Sequence, residues 1–194
     1  RAELKHLQQE LGTTMEYVTH DQIEAMSMSH RIAVLNLGLL QQVDTPLNIY
    51  RHPKTLFVAT FIGSPPMNIV TGHIKENTVY STDGEFRYPL PERTHAHVTG
   101  VEDVHFGVRA EDIRIVDVND DGADLKGTVI LREPLGDETI YRITVGETTF
   151  AVTAPPKLVL QTGENVGLTL NTNRIHLFDV ATEASLLHTE AAYV

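Results

Sequence analysis

At Gly63-Ser64-Pro65-Pro66 the texture of this 194-residue chain changes. Two consecutive prolines remove two backbone donors and push the residue before each away from helical geometry. Neither a helix nor a central strand runs through this point. Before it, apolar residues recur at helical spacing and alternate with short β-prone runs. After it, brief strand-like runs follow one another, separated by turn residues. The chain therefore reads as two regions, 1–64 and 65–194, with the boundary near residue 65.

In the first region, Leu4, Leu7 and Leu11 predict a helix over 2–11, stopped by Gly12. Tyr17 and Val18 predict a short strand over 14–19. Asp21 is placed to cap a second helix, with Glu24 as reciprocal partner of a capping box and Ile23 and Met26 on one side. Residues 31–35 and 39–43 read as strands joined by a turn at Asn36-Leu37-Gly38, where Asn and Gly tolerate positive φ. Thr45-Pro46 opens a helix with a threonine cap and proline at the first helical position. A further apolar helix covers about 55–62. Alternating helix and strand points to an α/β layer.

The second region is expected to be mainly β. Asp83-Gly84 between Val79-Tyr80 and Phe86-Tyr88 is a hairpin signal, and Gly146-Glu147 joins 139–145 to 148–152 in the same way. Further strands are predicted at 68–74, 104–109, 113–116, 127–132, 166–170 and 174–178. Many short strands with regular turns fit a small closed or partly closed barrel of the OB type.

Charge narrows the function. The chain carries 15 Lys and Arg against 26 Asp and Glu, a net of −11. The first region holds five basic and six acidic residues, the second ten and twenty. Binding DNA or RNA requires a dense basic surface, and no basic cluster exists here. There is no cysteine, which removes disulfides, thiolate nucleophiles and cysteine-held metals. No run of about 18 apolar residues is present to span a membrane as a helix.

Thr19-His20-Asp21, between a predicted strand and a capped helix, is the sharpest local candidate for chemistry. A histidine at a strand's carboxyl end in an α/β sheet lies where ligands bind, and its imidazole can donate to a phosphate oxygen. Asp117, Asp120, Asp121 and Asp124 cluster without the spacing of an EF-hand and read as a solvated loop. His95 and His97 read as an exposed loop rather than a metal pair. No metal site is expected.

The run from Gly12 to Met26, with Thr19-His20-Asp21-Gln22 at its centre, resembles the switch region of ABC transporter ATPases. Arg31 to Gly38, Gln41 to Pro46 and Ile49-Tyr50 resemble the end of the same domain. Phe57 to Asn68, including Gly63-Ser64-Pro65-Pro66-Met67-Asn68, is similar to the ATP-binding subunits of maltose and sn-glycerol-3-phosphate importers. Gly107 to Ile113, Glu133-Pro134-Leu135-Gly136 and His176-Leu177-Phe178-Asp179 resemble the transport-associated OB domain of those subunits.

The resemblance implies the following expectations. Residues 1–64 are the C-terminal remnant of a P-loop ATPase domain of α/β type. Residues 65–194 are a mainly-β, OB-type regulatory domain. His20 is the switch histidine, both catalytic and cofactor-binding, touching the γ-phosphate of ATP bound with Mg²⁺ in the intact protein. Partners are transmembrane permease subunits, a second copy in a homodimer, and a cytoplasmic regulatory protein. The location is the cytoplasmic face of a bacterial inner membrane. The chain departs from the family in lacking a G-x-x-x-x-G-K-[ST] loop, an apolar strand ending in Asp-Glu, and a Ser-Gly-Gly-Gln motif. In the family these precede the switch histidine, so ATP hydrolysis by this chain alone is not expected. Asp44 and Leu37 stand where relatives carry glycine and a polar residue. The alternative is a stand-alone OB-type module that regulates a partner or binds a small oxyanion.

Overall fold

Short polar side chains start three helices of the first region. The computed structural model describes Glu3, His6 and residues 10–187. By its internal contacts the chain divides into two compact units, Arg1–Ser64 and Pro65–Val194.

Glu3, His6, Glu10 and Leu11 are helical, and the rest of the predicted 2–11 helix lies outside the described residues. Helix α1 spans Gln22–Met28, where the Asp21 carboxylate accepts from the Ile23 and Glu24 amides at 2.8 and 3.1 Å. Helix α2 spans Pro46–Arg51 behind a Thr45 cap, with proline in its first turn, and α3 spans Leu56–Phe61 behind a Thr55 cap. Strands β1 (Ile32–Asn36) and β2 (Leu39–Asp44) pair antiparallel.

The turn between them places Leu37 and Gly38 at φ 48° and 81°. Such mirror-image turns match the twist of a hairpin and require positive φ at both central residues. Leucine thus takes a conformation that costs a non-glycine residue about 1–2 kcal/mol. Its side chain is 98% exposed, so no packing offsets that cost.

Ile32, Val34, Ile49, Val58 and Ile62 form this unit's core, with Ala25, Met26, Tyr50 and Phe57 packed against it. Buried Gln42 fastens the segment after α2. Its amide donates to the His52 carbonyl at 3.0 Å and accepts from the Lys54 amide at 2.9 Å.

One expectation fails here. Residues 14–19 form no strand, because a strand exists only as part of a ladder and among the described residues nothing pairs with it. On α1, Ala25 and Met26 pack against the core while Ile23 is exposed. Among the described residues the unit's only ladder is the antiparallel β1–β2 ribbon.

The second unit holds strands β3 (Asn68–Lys75), β4 (Thr78–Ser81), β5 (Arg87–Pro89), β6 (Asp103–Val108), β7 (Ile113–Val116), β8 (Leu125–Pro134), β9 (Thr139–Val145), β10 (Thr148–Ala154), β11 (Asn165–Leu170) and β12 (His176–Asp179). A short helix α4, Glu92–His95, follows β5. The strands form two five-stranded antiparallel sheets, ordered β12-β6-β3-β4-β5 and β10-β9-β8-β11-β7.

One apolar core joins the two sheets. Phe86, immediately before β5, lies 5.2 Å from Phe106 of the first sheet and 6.0 Å from Phe150 of the second, measured between ring centroids. Asn68 ties the sheets directly. Its side-chain amide donates to the Ala151 carbonyl at 2.9 Å and accepts from the Ala151 amide at 2.7 Å. It thereby imitates a neighbouring strand at that point of β10. A bulge between Val129 and Leu131 bends the long β8.

The two hairpin turns legible in the sequence dock on each other. The Asp83 carboxylate accepts from the Glu147 amide at 2.8 Å, from the Glu85 amide at 3.2 Å, and from the Ser81 hydroxyl. Those bonds, the Ser81 one foremost, hold the Asp83 carboxyl below its ordinary range.

Candidate functional site: the His20 loop

Glu24, one turn into α1, organises the loop before it. Its carboxylate accepts from the Thr19 hydroxyl at 2.9 Å and from the Tyr17 hydroxyl at 3.3 Å. The Thr19 oxygen in turn accepts from the Asp21 amide at 2.9 Å. Thus Thr19 stands between the two partners that a simple capping box would join. His20 sits between two residues held in this way, on the loop that leads into the cap.

The His20 side chain is exposed, and among the described residues its ring makes no hydrogen bond. An imidazole presented in this way can donate to an oxyanion or accept from water without first breaking an internal bond. The loop's orientation, rather than a buried pocket, fixes its position.

Gln22 is a component that the sequence pattern does not reveal. Its amide donates to the Phe61 carbonyl and accepts from the Gly63 amide at 2.8 Å. The start of α1 is thereby bound to the end of α3, about forty residues away in sequence. The sequence offers no signal for this pairing beyond the position of Gln22 beside a capping aspartate.

The other polar features serve structure. Asp117 and Asp120 accept from the amides of Asn119 and Gly122 at 2.8 Å each, and Asp124 accepts from the Leu170 amide at 2.7 Å. Asp117 and Asp120 thus form turns, and Asp124 ties its segment to β11. His95 contacts the Leu90 carbonyl at 2.9 Å, and His97 is exposed. Among the described residues no group of three or more His, Cys, Asp or Glu is placed to hold a metal ion.

Within the stretch Gly107 to Ile113, Arg109 is buried. Burial raises the carboxyl pKa of Asp112, the adjacent Glu111 adds to this, and Arg174 and Asn171 oppose it. The Glu133-Pro134-Leu135-Gly136 stretch turns β8 into β9, and Glu133 meets Arg142 at 3.2 Å. In a shallow groove beside Lys126, the Thr128 hydroxyl donates to Asn165 at 2.8 Å and the Thr144 hydroxyl donates to the Thr128 carbonyl at 3.3 Å. These donors are spent on one another rather than aimed at a common point. No helix among the described residues is long and apolar enough to cross a membrane.

Two family models match the second part of the chain. Residues 63–113 match the MalK OB fold domain, and residues 106–178 match the TOBE domain. The matches and the two antiparallel sheets define a protein with OB-fold-like domains of the transport-associated class. The chain is 40% identical over 193 residues to the xylose/arabinose import ATP-binding protein XacJ of Haloferax volcanii, covering 94% of this chain and 50% of that protein. It is 41% identical to the trehalose/maltose import ATP-binding protein MalK of Thermococcus litoralis, covering 94% and 51%. It is 36% identical to an sn-glycerol-3-phosphate import ATP-binding protein of Rhizobium johnstonii, covering 92% and 48%. Along nearly its whole length the chain matches the C-terminal region of MalK-type sugar-importer ATP-binding subunits, with their MalK OB and TOBE domains. It spans about half the length of the curated relatives it matches. Among solved structures, one of the cytoplasmic molybdate-binding protein ModG aligns at TM-score 0.47 and 14% identity, over 57% of this chain and 94% of that one.

Proposed function

We propose that this chain is the C-terminal part of the energy-coupling, ATP-binding subunit of an importer for sugars or related solutes. Residues 1–64 are the end of its ATPase domain, and residues 65–194 are its OB-type regulatory domain. The observation that carries the reading is the placement of His20. It is exposed and unspent, next to an aspartate cap, on a loop oriented by the Thr19–Glu24 bond, in a chain related along nearly its whole length to importer ATP-binding proteins.

In the intact subunit, ATP with Mg²⁺ supplies the phosphoryl group whose transfer to water powers transport. His20 donates a hydrogen bond to a γ-phosphate oxygen and helps orient the attacking water. Asp21 and Thr19 hold the loop so that this geometry is set before charge develops. The subunit works as a homodimer against transmembrane permease partners on the cytoplasmic face of the membrane, and its OB-type domain meets a regulatory protein.

The β1–β2 ribbon supports the ATPase part of this reading. One face, with Ile32, Val34 and Gln42, is buried, while the opposite face presents Leu35, Leu40 and Val43 at 57%, 61% and 37% exposure. A ribbon that is apolar on both faces is the pattern of strands sandwiched inside a larger layered domain, and an isolated two-stranded sheet is marginal in water.

The test is ATP hydrolysis by the intact subunit assembled with its permease partners. The His20→Ala variant should lose about 10²–10³-fold in kcat, the scale on which one lost charge-stabilising hydrogen bond is felt. Undiminished hydrolysis in that variant would sink the reading.

A further inference from the structure

Gln22 follows the capping aspartate and precedes most of α1, yet its side-chain amide is turned away from that helix. It spans to the last turn of α3 and the residues beyond it, donating to the Phe61 carbonyl and accepting from the Gly63 amide at 2.8 Å. Gly63 is the residue before Ser64, at which the first compact unit ends. Gly63 has φ 120°, so its peptide is turned into an orientation that an ordinary residue rarely adopts. A primary amide suits this position because it offers one donor and one acceptor side by side, matching a carbonyl and an N–H of neighbouring peptides.

The two elements joined by this bridge each have anchors of their own. The His20 loop is organised from its own side by Tyr17, Thr19 and Glu24. Helix α3 is anchored in the core by Val58. The Gln22 amide ties the first of these to the peptides at the domain boundary.

We propose that Gln22 is a positioning residue for His20. It locks the start of the switch helix to the Phe61–Gly63 peptides, so that the placement of the histidine depends on the segment leading into the OB-type domain. This inference rests on the reading of His20 as the switch residue. A movement of the boundary segment by about an ångström breaks or remakes the two bonds. The loop before α1 then loses or regains an anchor, and the alignment of the imidazole with a reacting phosphoryl group changes with it.

The experiment uses the intact subunit assembled with its permease partners and compares wild type, Gln22→Met, Gln22→Ala and His20→Ala. Gln22→Met keeps the volume and removes both hydrogen bonds. Expected are a kcat lowered about ten- to a hundredfold with KM for ATP unchanged within about twofold, the signature of lost alignment rather than lost binding. Hydrogen exchange of the peptide covering residues 61–66 should quicken about five- to tenfold in the same variants, the scale of one hydrogen bond, while peptides over the Ile49 and Val58 core exchange as in wild type.

If His20→Ala abolishes hydrolysis but Gln22→Met leaves kcat unchanged, the inference is overturned and the function stands. Exchange that quickens across the whole core overturns it too, since Gln22 is then a general stabiliser. If His20→Ala itself leaves hydrolysis intact, the proposed function falls, and the role of Gln22 falls with it.

Discussion

Replacing Asn68 by alanine should loosen the second unit more than any surface substitution. Asn68 is 8% exposed and Ala151 is 2% exposed, so water does not take the place of the missing amide. The change leaves the N–H and the C=O of Ala151 without the partners they now have at 2.7 and 2.9 Å. A buried polar group stripped of its partner costs about 1–3 kcal/mol, which for two groups gives about 2–6 kcal/mol. That is a large share of the net stability of a typical domain, about 5–15 kcal/mol.

Urea unfolding followed by far-ultraviolet circular dichroism reads the total. Exchange of the Ala151 amide reads the local part. Asn68→Asp adds a control on mechanism. An ionised carboxylate accepts from the Ala151 N–H but faces the Ala151 carbonyl with no proton to give. Folding therefore favours the protonated acid, and the folded-state pKa rises above the ordinary value of about 3.9. A carboxyl shifted in this direction binds more protons when folded. The variant's stability relative to wild type is then greatest below about pH 4 and declines as pH rises through the folded-state value. An Asn68→Ala variant within about 0.5 kcal/mol of wild type, the usual scatter of an ordinary surface change, refutes the reasoning. So does an Asn68→Asp variant whose deficit does not change with pH.

Two other outcomes are expected. Leu37→Asn should raise stability by about 1 kcal/mol, because asparagine accepts the left-handed conformation and the leucine side chain contributes no packing; thermal melting that does not rise with this change would count against it. Burial first, and the charge of Asp124 second, push the Tyr88 hydroxyl up to about 12. Since the unfolded tyrosine ionises near 10, wild type should lose stability between about pH 10 and 12 as the unfolded chain releases a proton that the folded chain retains, and Tyr88→Phe should lose less over that range in alkaline melts.

Where sequence suffices and where it does not follows from the reach of the interactions. The second unit's strands are legible because hairpin turns and period-two runs are local, as at Asp83-Gly84 and Gly146-Glu147. The caps at Asp21, Thr45 and Thr55 act within three residues and are equally accessible, Asp21 and Thr45 by name. The strand expected at 14–19 is absent because β propensity says that a segment can pair, not that a partner is present. Helical spacing puts Ile23 and Met26 on one side of α1 but does not say how far that side turns inward, and only Met26 packs against the core. The clasps made by Gln22, Gln42 and Asn68 join residues 10 to 83 apart in sequence, with no local signature. Among ten histidines, spacing alone gives His20 little weight; the resemblance of the surrounding motif singles it out, and the hydrogen bonds of Thr19 show how its loop is held.

The docking of the two hairpin turns has a practical consequence for anyone who would rebuild this protein. Loop tips are ordinarily the places where a peptide tag, a fluorophore site or a grafted segment is inserted with least harm. Here two of the most obvious tips are closed to such use. A Cβ on Gly146 would overlap the Glu85 side chain and lie 2.5 Å from the Asp83 carboxylate, and the Glu147 amide is already committed to Asp83. In the β8–β9 turn, by contrast, Pro134 to Asp137 are exposed. Gly136 itself has φ 107°, which disfavours a side chain there, so Asp137 is the position at which to attach a label. The β4–β5 and β9–β10 connections, though exposed, are held to each other by the Asp83 carboxylate.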